Sequence, residues 1–93
     1  MTAFFITLEA RNPERGHFRH YHLEAGRDLF GTWLVEATFG RIGTAGRTVG
    51  YAAADEAEAH CIARRCLQRR ATASKRIGTA YEVRVSRDLE WLS

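Results

Sequence analysis

The 93-residue sequence contains one proline, two cysteines and no long apolar run. A helix that spans a bilayer needs about 18 or more apolar residues in succession, and no segment approaches that length. The opening residues, MTAFFITLEARN, lack the basic stretch that begins a secretory signal peptide and instead predict a first β-strand. We therefore expect one small domain over residues 1–93, located in the cytoplasm and without a membrane partner.

Disulfides and metal ligands are equally scarce. Cys61 and Cys66 lie in a segment predicted to be helical, where about 100° per residue turns their side chains away from each other and prevents a bridge. His17, His20 and His22 have a spacing typical of metal ligands, but only His20 and His22 share a face of a strand. We expect no disulfide and no metal site.

Sequence patterns that indicate catalysis are also missing. No Ser/His/Asp or Cys/His set has the placement that nucleophilic catalysis requires. The glycines of TFGRIGTAGRT, which are Gly40, Gly43 and Gly46, form G-x-x-G-x-x-G and match neither common nucleotide-binding pattern. A strand rather than a helix is predicted to follow, so no helix N-terminus would face a phosphate. We predict a protein that is not an enzyme and binds no small-molecule cofactor.

Positive charge is concentrated in the middle of the chain. Residues 1–40 and 77–93 each carry a net charge of −1, whereas residues 41–76 contain eight basic and three acidic side chains and carry +5. A basic block in an otherwise balanced chain is typical of a protein that binds a polyanion. The alternative is that these charges only solvate one face of a helix, and composition alone does not choose between the two.

The first half of the chain alternates between apolar and polar residues with the period of a β-strand. The only proline lies in the turn RNPERG (11–16). Four alternating segments are separated by short connections: AFFITLE (3–9), HFRHYHLE (17–24), TWLVEATF (32–39) and RTVGYAA (47–53). Successive strands with short connections predict an antiparallel meander.

The period changes to that of a helix after Asp55, which is a favourable N-cap residue. Arg70 falls within the apolar stripe of this helix, so either its side chain snorkels outward or the helix frays there. The helix is expected to end near Lys75, before Gly78, and to be followed by a short strand (81–85) and by Trp91, which caps the core. The apolar stripe is formed by Ala59, Ile62, Ala63, Cys66 and Leu67.

Together these elements predict an α+β fold: an antiparallel four- to five-stranded sheet (a meander) with one long helix packed on one face. TWLVEATFGRIGTAGRT (32–48) and KRIGTAYEV (75–83) resemble the two characteristic stretches of the WGR domain family, and the resemblance extends from about Phe4 to Val85. WGR domains occur in poly(ADP-ribose) polymerases, in molybdate-regulator-like proteins and as short stand-alone bacterial proteins, and this chain is similar to the last group. The family fold, an antiparallel sheet with one long helix, agrees with the fold predicted above.

In the polymerases, the Trp and Arg of the WGR motif lie at a DNA break end and at contacts with neighbouring domains. The resemblance therefore implies nucleic-acid binding here and carries this role directly onto Gly40 and Arg41. DNA is favoured over RNA as the ligand, and both stay open. Phe39 stands in place of the motif's Trp; it keeps a flat aromatic face but lacks the indole N–H. Because Phe39 continues the apolar face of Trp33 and Val35, it has two possible roles, core packing and base stacking.

The predicted nucleic-acid interface combines the glycine-rich loop with the basic face of the helix. In this hypothesis the cationic side chains contact phosphates without reading the sequence. The alternative is a protein-interaction module, in which the same loop and the sheet edge dock a partner protein. The predicted nucleic-acid-binding residues are Phe39, Gly40, Arg41, Arg47, Arg65, Arg69, Lys75 and Arg76.

Overall fold

The computed structural model describes residues 2–77 and 80–92, and their side chains except at 73–77. Two short 3-10 turns, Pro13–Arg15 and Leu89–Leu92, accompany the main elements. No helix within the described residues has the length and apolarity to cross a membrane. In chain order the main elements are β1 (Thr2–Asn12), β2 (His17–Arg27), β3 (Trp33–Arg41), β4 (Arg47–Ala53), α1 (Glu56–Ile77) and β5 (Glu82–Arg87).

The strands form one antiparallel sheet in the order β4-β3-β2-β1-β5. The first four strands make the predicted meander, and β5 returns to pair with the outer side of β1. Leu8 lies opposite Tyr21, and Tyr21 lies opposite Phe39, so apolar residues of neighbouring strands share one face. The predicted fold class is confirmed, with five strands.

The hydrophobic core lies between that face of the sheet and α1. Phe4, Leu23 and Val35 are its largest fully buried side chains. The helix contributes small residues to the contact, which allow it to approach the sheet closely; these are Ala59, Ala63 and Cys66. The predicted apolar stripe is therefore confirmed, and Cys66 is a core residue with a free thiol.

The start of α1 is fixed by a side-chain cap. The Asp55 carboxylate oxygen Oδ1 accepts a hydrogen bond from the Glu58 N–H at 2.8 Å, and the Glu58 carboxylate accepts one from the Ala54 N–H at 3.4 Å. The first bond satisfies a backbone donor that the first helical turn leaves unpaired, and the second ties the residue before the cap to that turn. The predicted N-cap is confirmed, whereas the expected stop at Gly78 lies outside the described residues.

Trp91 closes the core, as predicted, and it lies beside the N-terminus of α1. Its ring stacks on Phe4 and Trp33, with centroid distances of 5.6 and 6.0 Å. Its indole N–H donates a hydrogen bond to the Glu56 carboxylate at 3.3 Å. The chain segment after β5 is thereby tied to the first turn of the helix.

The directions of the elements give the molecule two ends, and its longest dimension is 45 Å. The N-terminus of α1 lies near Trp33, where β3 begins, and Arg70 of the same helix reaches Phe39, near the end of β3. We call the end with the 42–46 connection and the C-terminal half of α1 the glycine-loop end. The opposite end, with residues 28–32 and the start of α1, is the hairpin-tip end.

Candidate nucleic-acid interface

The glycine loop, residues 42–46, is a tight connection that is pinned to β2 and β3. The Arg41 carbonyl accepts hydrogen bonds from the Thr44 N–H at 3.1 Å and from the Thr44 hydroxyl at 2.7 Å. The Ile42 N–H donates to the Phe18 carbonyl at 2.9 Å. These bonds fix the backbone from which Arg41 projects.

Two of the glycines are required because the backbone crosses itself closely. A Cβ on Gly40 would lie 2.8 Å from the Cα of Gly46, and a Cβ on Gly46 would lie 2.5 Å from the Phe39 carbonyl oxygen. Gly46 also has a φ of 71°, in the left-handed region that favours glycine. Gly40 therefore contributes to the site through the path of the backbone that carries Arg41.

Arg41 lies beside a second arginine that was not predicted from the sequence. Arg19 is its partner in the pairing of β2 with β3, and both side chains are exposed. The Arg41 guanidinium carbon lies 5.7 Å from the centroid of the Phe18 ring, a cation–π distance. These three residues contribute to the lining of a cavity of about 170 Å³. The sequence signal for Arg19 was the short β2–β3 connection, which sets the register of the two strands.

Phe39 is half-buried on the helix-covered face of the sheet. Its ring stacks on Tyr21 at a centroid distance of 6.1 Å and an interplanar angle of 21°. The guanidinium carbon of Arg70 lies 4.9 Å from the Tyr21 ring and 5.9 Å from the Phe39 ring. Arg70 therefore lies within an intact helix rather than at a frayed end. Its Nε is buried, and its guanidinium rests on a surface that includes Phe39.

Burial and the neighbouring Cys66 thiol, which hydrogen-bonds to the phenol, raise the pKa of Tyr21 far above its ordinary value; the Arg70 charge acts in the opposite direction. Tyr21 is consequently neutral in the physiological range. The Arg70 cation thus stacks on a neutral ring and is not neutralised by a phenolate.

Phe39 lies between Arg47, at the end of the glycine loop, and the arginines of α1. Arg47 lies opposite Phe39 in the pairing of β3 with β4. Arg65 and Arg69 are exposed, and together with Arg70 they contribute to the lining of a depression of about 370 Å³. The structure therefore places Arg47 and the helix arginines on neighbouring elements. The side chains of Lys75 and Arg76 lie outside the described residues.

The arginines of the glycine loop and of α1 differ in their ionic partners from arginines of β1 and β5. Arg11 and Arg84 both pair with Glu9, at 3.1 and 3.0 Å, and Arg87 lies 3.9 Å from Asp88. Seven other arginines of the described chain form no ion pair with a described carboxylate: Arg19, Arg41, Arg47, Arg64, Arg65, Arg69 and Arg70. An uncompensated cluster of this kind favours an anionic ligand.

The histidines of β2 do not combine into a metal site. The His22 Nδ1 lies 2.8 Å from the Thr7 hydroxyl, and its Nε2 lies 3.3 Å from the Glu24 carboxylate. His20 packs against the glycine loop, where its ring lies close to Gly46. Among the residues that the structure describes, no three His, Cys, Asp or Glu side chains are grouped to hold a metal ion.

The sequence matches the family described as WGR domain over residues 4–85. This match covers most of the chain, so the chain belongs to the WGR domain family. WGR domains are small binding domains rather than catalytic ones, and in poly(ADP-ribose) polymerases they bind nucleic acid. No curated protein and no solved structure matches the sequence. The bacterial origin and the cytoplasmic location stay predictions.

Proposed function

We propose that this WGR domain binds DNA through phosphate contacts at its glycine-loop end and that it has no catalytic activity of its own. The observation that supports this proposal most strongly is the group of exposed arginines without described carboxylate partners at that end. Membership of the WGR family supports the same class of ligand. The proposed contact residues are Arg19, Arg41, Arg47, Arg65 and Arg69, continued along the helix by Lys75 and Arg76.

Within this site we assign Arg41 the central role. Its backbone is fixed by the pinned loop, and its guanidinium lies over the Phe18 ring. A guanidinium that is held in place by stacking loses less conformational entropy when it binds a phosphate. Gly40 allows the backbone path, and Phe39 supports Arg70 while its exposed part is available to a sugar or base.

Fluorescence anisotropy with labelled oligonucleotides tests this proposal. The panel consists of a duplex with free ends, a closed hairpin, single-stranded DNA and single-stranded RNA, each titrated at several salt concentrations. We expect DNA to bind more tightly than RNA, with log K falling linearly as log salt rises. Binding that is independent of salt, or no binding at low salt, would contradict the proposal.

The second candidate function is a protein-interaction module that uses the same loop and the sheet edge. Strands β4 and β5 lie at the two edges of the sheet, and each has one side without a strand partner in the described chain. An edge strand can pair with an extended segment of a partner. In the same anisotropy panel, this function predicts no affinity for any of the four nucleic acids.

A further inference from the structure

The hairpin tip, residues 28–32 between β2 and β3, holds two large apolar side chains in solvent. Leu29 is 99% exposed and Phe30 is 91% exposed, whereas the other exposed large apolar residues range from 42% to 55%. The tip lies at the end of β3 opposite the glycine loop. The proposed DNA surface therefore does not account for the exposure of these two side chains.

The turn is built without help from either apolar side chain. The Asp28 oxygen Oδ1 accepts hydrogen bonds from the Phe30 N–H at 2.8 Å and from the Thr32 N–H at 3.0 Å. Backbone bonds between Asp28 and Thr32, at 2.9 Å, and between Gly31 and Asp28, at 3.1 Å, complete the loop. Polar residues at positions 29 and 30 would satisfy the same bonds. An ordered turn that displays two apolar side chains is typical of an interaction anchor, because little loop entropy is lost on binding.

A depression of about 160 Å³ adjoins the tip and is rich in carboxylates. Glu24, Asp28 and Glu36 line it, together with a single basic residue, Arg27. Glu24 and Glu36 face each other directly across β2 and β3, an arrangement that is unfavourable for like charges. Glu24 accepts a hydrogen bond from Thr2 at 3.2 Å and lies 3.3 Å from the His22 Nε2, whereas Glu36 has no ion-pair partner among the described residues. A cation in this depression would relieve the repulsion.

We propose that the hairpin tip docks a partner protein through a short segment that combines a large apolar side chain with a lysine or arginine. The apolar side chain packs on Leu29 and Phe30, and the cation enters the depression between Glu24 and Glu36. Charge selects this occupant, since three carboxylates beside the tip repel phosphates and anionic lipid headgroups. The docking surface and the proposed DNA surface lie at opposite ends, so one domain can hold a protein and a nucleic acid at once.

Selection from a displayed library of random short peptides against the wild-type protein tests the tip. We expect the enriched peptides to carry a lysine or arginine close to a large apolar residue. The double variant Leu29→Ser/Phe30→Ser should bind these peptides about tenfold or more weakly, as expected for hot-spot residues. Its melting temperature should stay unchanged, because both side chains are exposed. As a matched control, Val85→Ser on β5 should bind as the wild type does.

A charge exchange tests the depression separately. Glu36→Lys should abolish binding of an enriched peptide. Replacing the lysine or arginine of that peptide by glutamate should restore its binding to the Glu36→Lys variant. The proposal is overturned if no peptide is enriched, if the double variant binds the peptides as tightly as the wild type, or if the exchange fails to restore binding.

Two further measurements identify other occupants of the tip. Sedimentation velocity showing self-association that the double variant abolishes would assign the tip to a second copy of this chain. Binding to phosphatidylcholine vesicles that depends on Leu29 and Phe30 would assign it to a membrane. Either result overturns the proposal for a protein partner. DNA binding of the double variant should equal that of the wild type, so this proposal and the proposed DNA function fail by different results.

Discussion

At the scale of single residues, Gly46 decides the path by which the loop leaves the sheet. Its left-handed φ and the 2.5 Å approach of a Cβ to the Phe39 carbonyl lead us to expect that Gly46→Ala destabilises the fold. The loss should exceed the roughly 1–2 kcal/mol of the left-handed conformation alone. Gly50→Ala is the matched control, because a Cβ there would meet only Glu36 Cγ at 3.9 Å. Chemical denaturation measures both, and equal stabilities would contradict this account.

Arg41→Ala should separate binding from stability. The Arg41 side chain is exposed and its guanidinium carbon lies 5.7 Å from the centroid of the Phe18 ring, so we expect little change in melting temperature. If Arg41 hydrogen-bonds a phosphate, the binding free energy should weaken by about 1.5–3 kcal/mol. Arg87→Ala, an exposed arginine beside Asp88, is the control and should bind DNA as the wild type does. Unchanged affinity of Arg41→Ala would remove this residue from the site.

Tyr21 should make the folded protein less stable at alkaline pH. Because its pKa in the folded protein is raised above the ordinary value of about 10, the unfolded chain loses the phenolic proton first as pH rises. The free energy of unfolding should then fall above about pH 10, with a slope approaching 1.4 kcal/mol per pH unit for this one group. Tyr21→Phe removes the phenol and should flatten that part of the profile. Denaturation experiments across the alkaline range measure this slope. An identical profile for Tyr21→Phe would contradict the prediction.

At the scale of elements, the strands and the helix could be predicted because their patterns depend on local sequence. Alternation identified the four meander strands, and the change of period at Asp55 identified α1 with its apolar stripe. The position of β5 beside β1 was not predicted, because pairing between the two ends of a chain has no local signal. Arg19 was not predicted either, although the short β2–β3 connection sets the register that brings it to the site. The exposure of Leu29 and Phe30 also became visible only in the folded hairpin.

The helix cap offers a test confined to one element. Asp55→Ala removes the acceptor of the 2.8 Å bond from the Glu58 N–H, and we expect it to lower the free energy of unfolding by about 0.5–2 kcal/mol. Asp55→Asn keeps a side-chain oxygen acceptor at the same position and should retain most of the stability. Thermal and chemical denaturation of both variants measure the difference. If Asp55→Asn lost as much as Asp55→Ala, the carboxylate charge rather than the cap would be responsible.

At the scale of the whole molecule, the meander separates two surfaces of opposite charge. Each of β2 and β3 spans from one end to the other, with Arg19 and Arg41 at the glycine-loop end and the carboxylates of Glu24 and Glu36 nearer the hairpin tip. Since both surfaces are attached to the same two strands, their separation is fixed by the length of the sheet. A polyanion approaching the domain is therefore attracted to one end and repelled from the other.

This polarity leads to a prediction for the helix arginines. The double variant Arg65→Glu/Arg69→Glu should weaken DNA binding about equally for all sequences, because phosphate contacts carry no sequence information. The slope of log K against log salt should become shallower by up to about 0.9 for each phosphate contact that is lost. Anisotropy titrations at several salt concentrations, with two duplexes of unrelated sequence, measure both effects.

The control for this prediction keeps the charge change and moves its position. Arg69→Glu and Arg87→Glu alter the net charge by the same amount, but Arg87 lies on β5 beside Asp88, away from the glycine loop. If DNA responds to the local surface, Arg69→Glu weakens binding and flattens the salt slope, whereas Arg87→Glu has a much smaller effect. If both variants weaken binding equally, net charge alone attracts the DNA. The helix face would then be solvated without forming part of the interface.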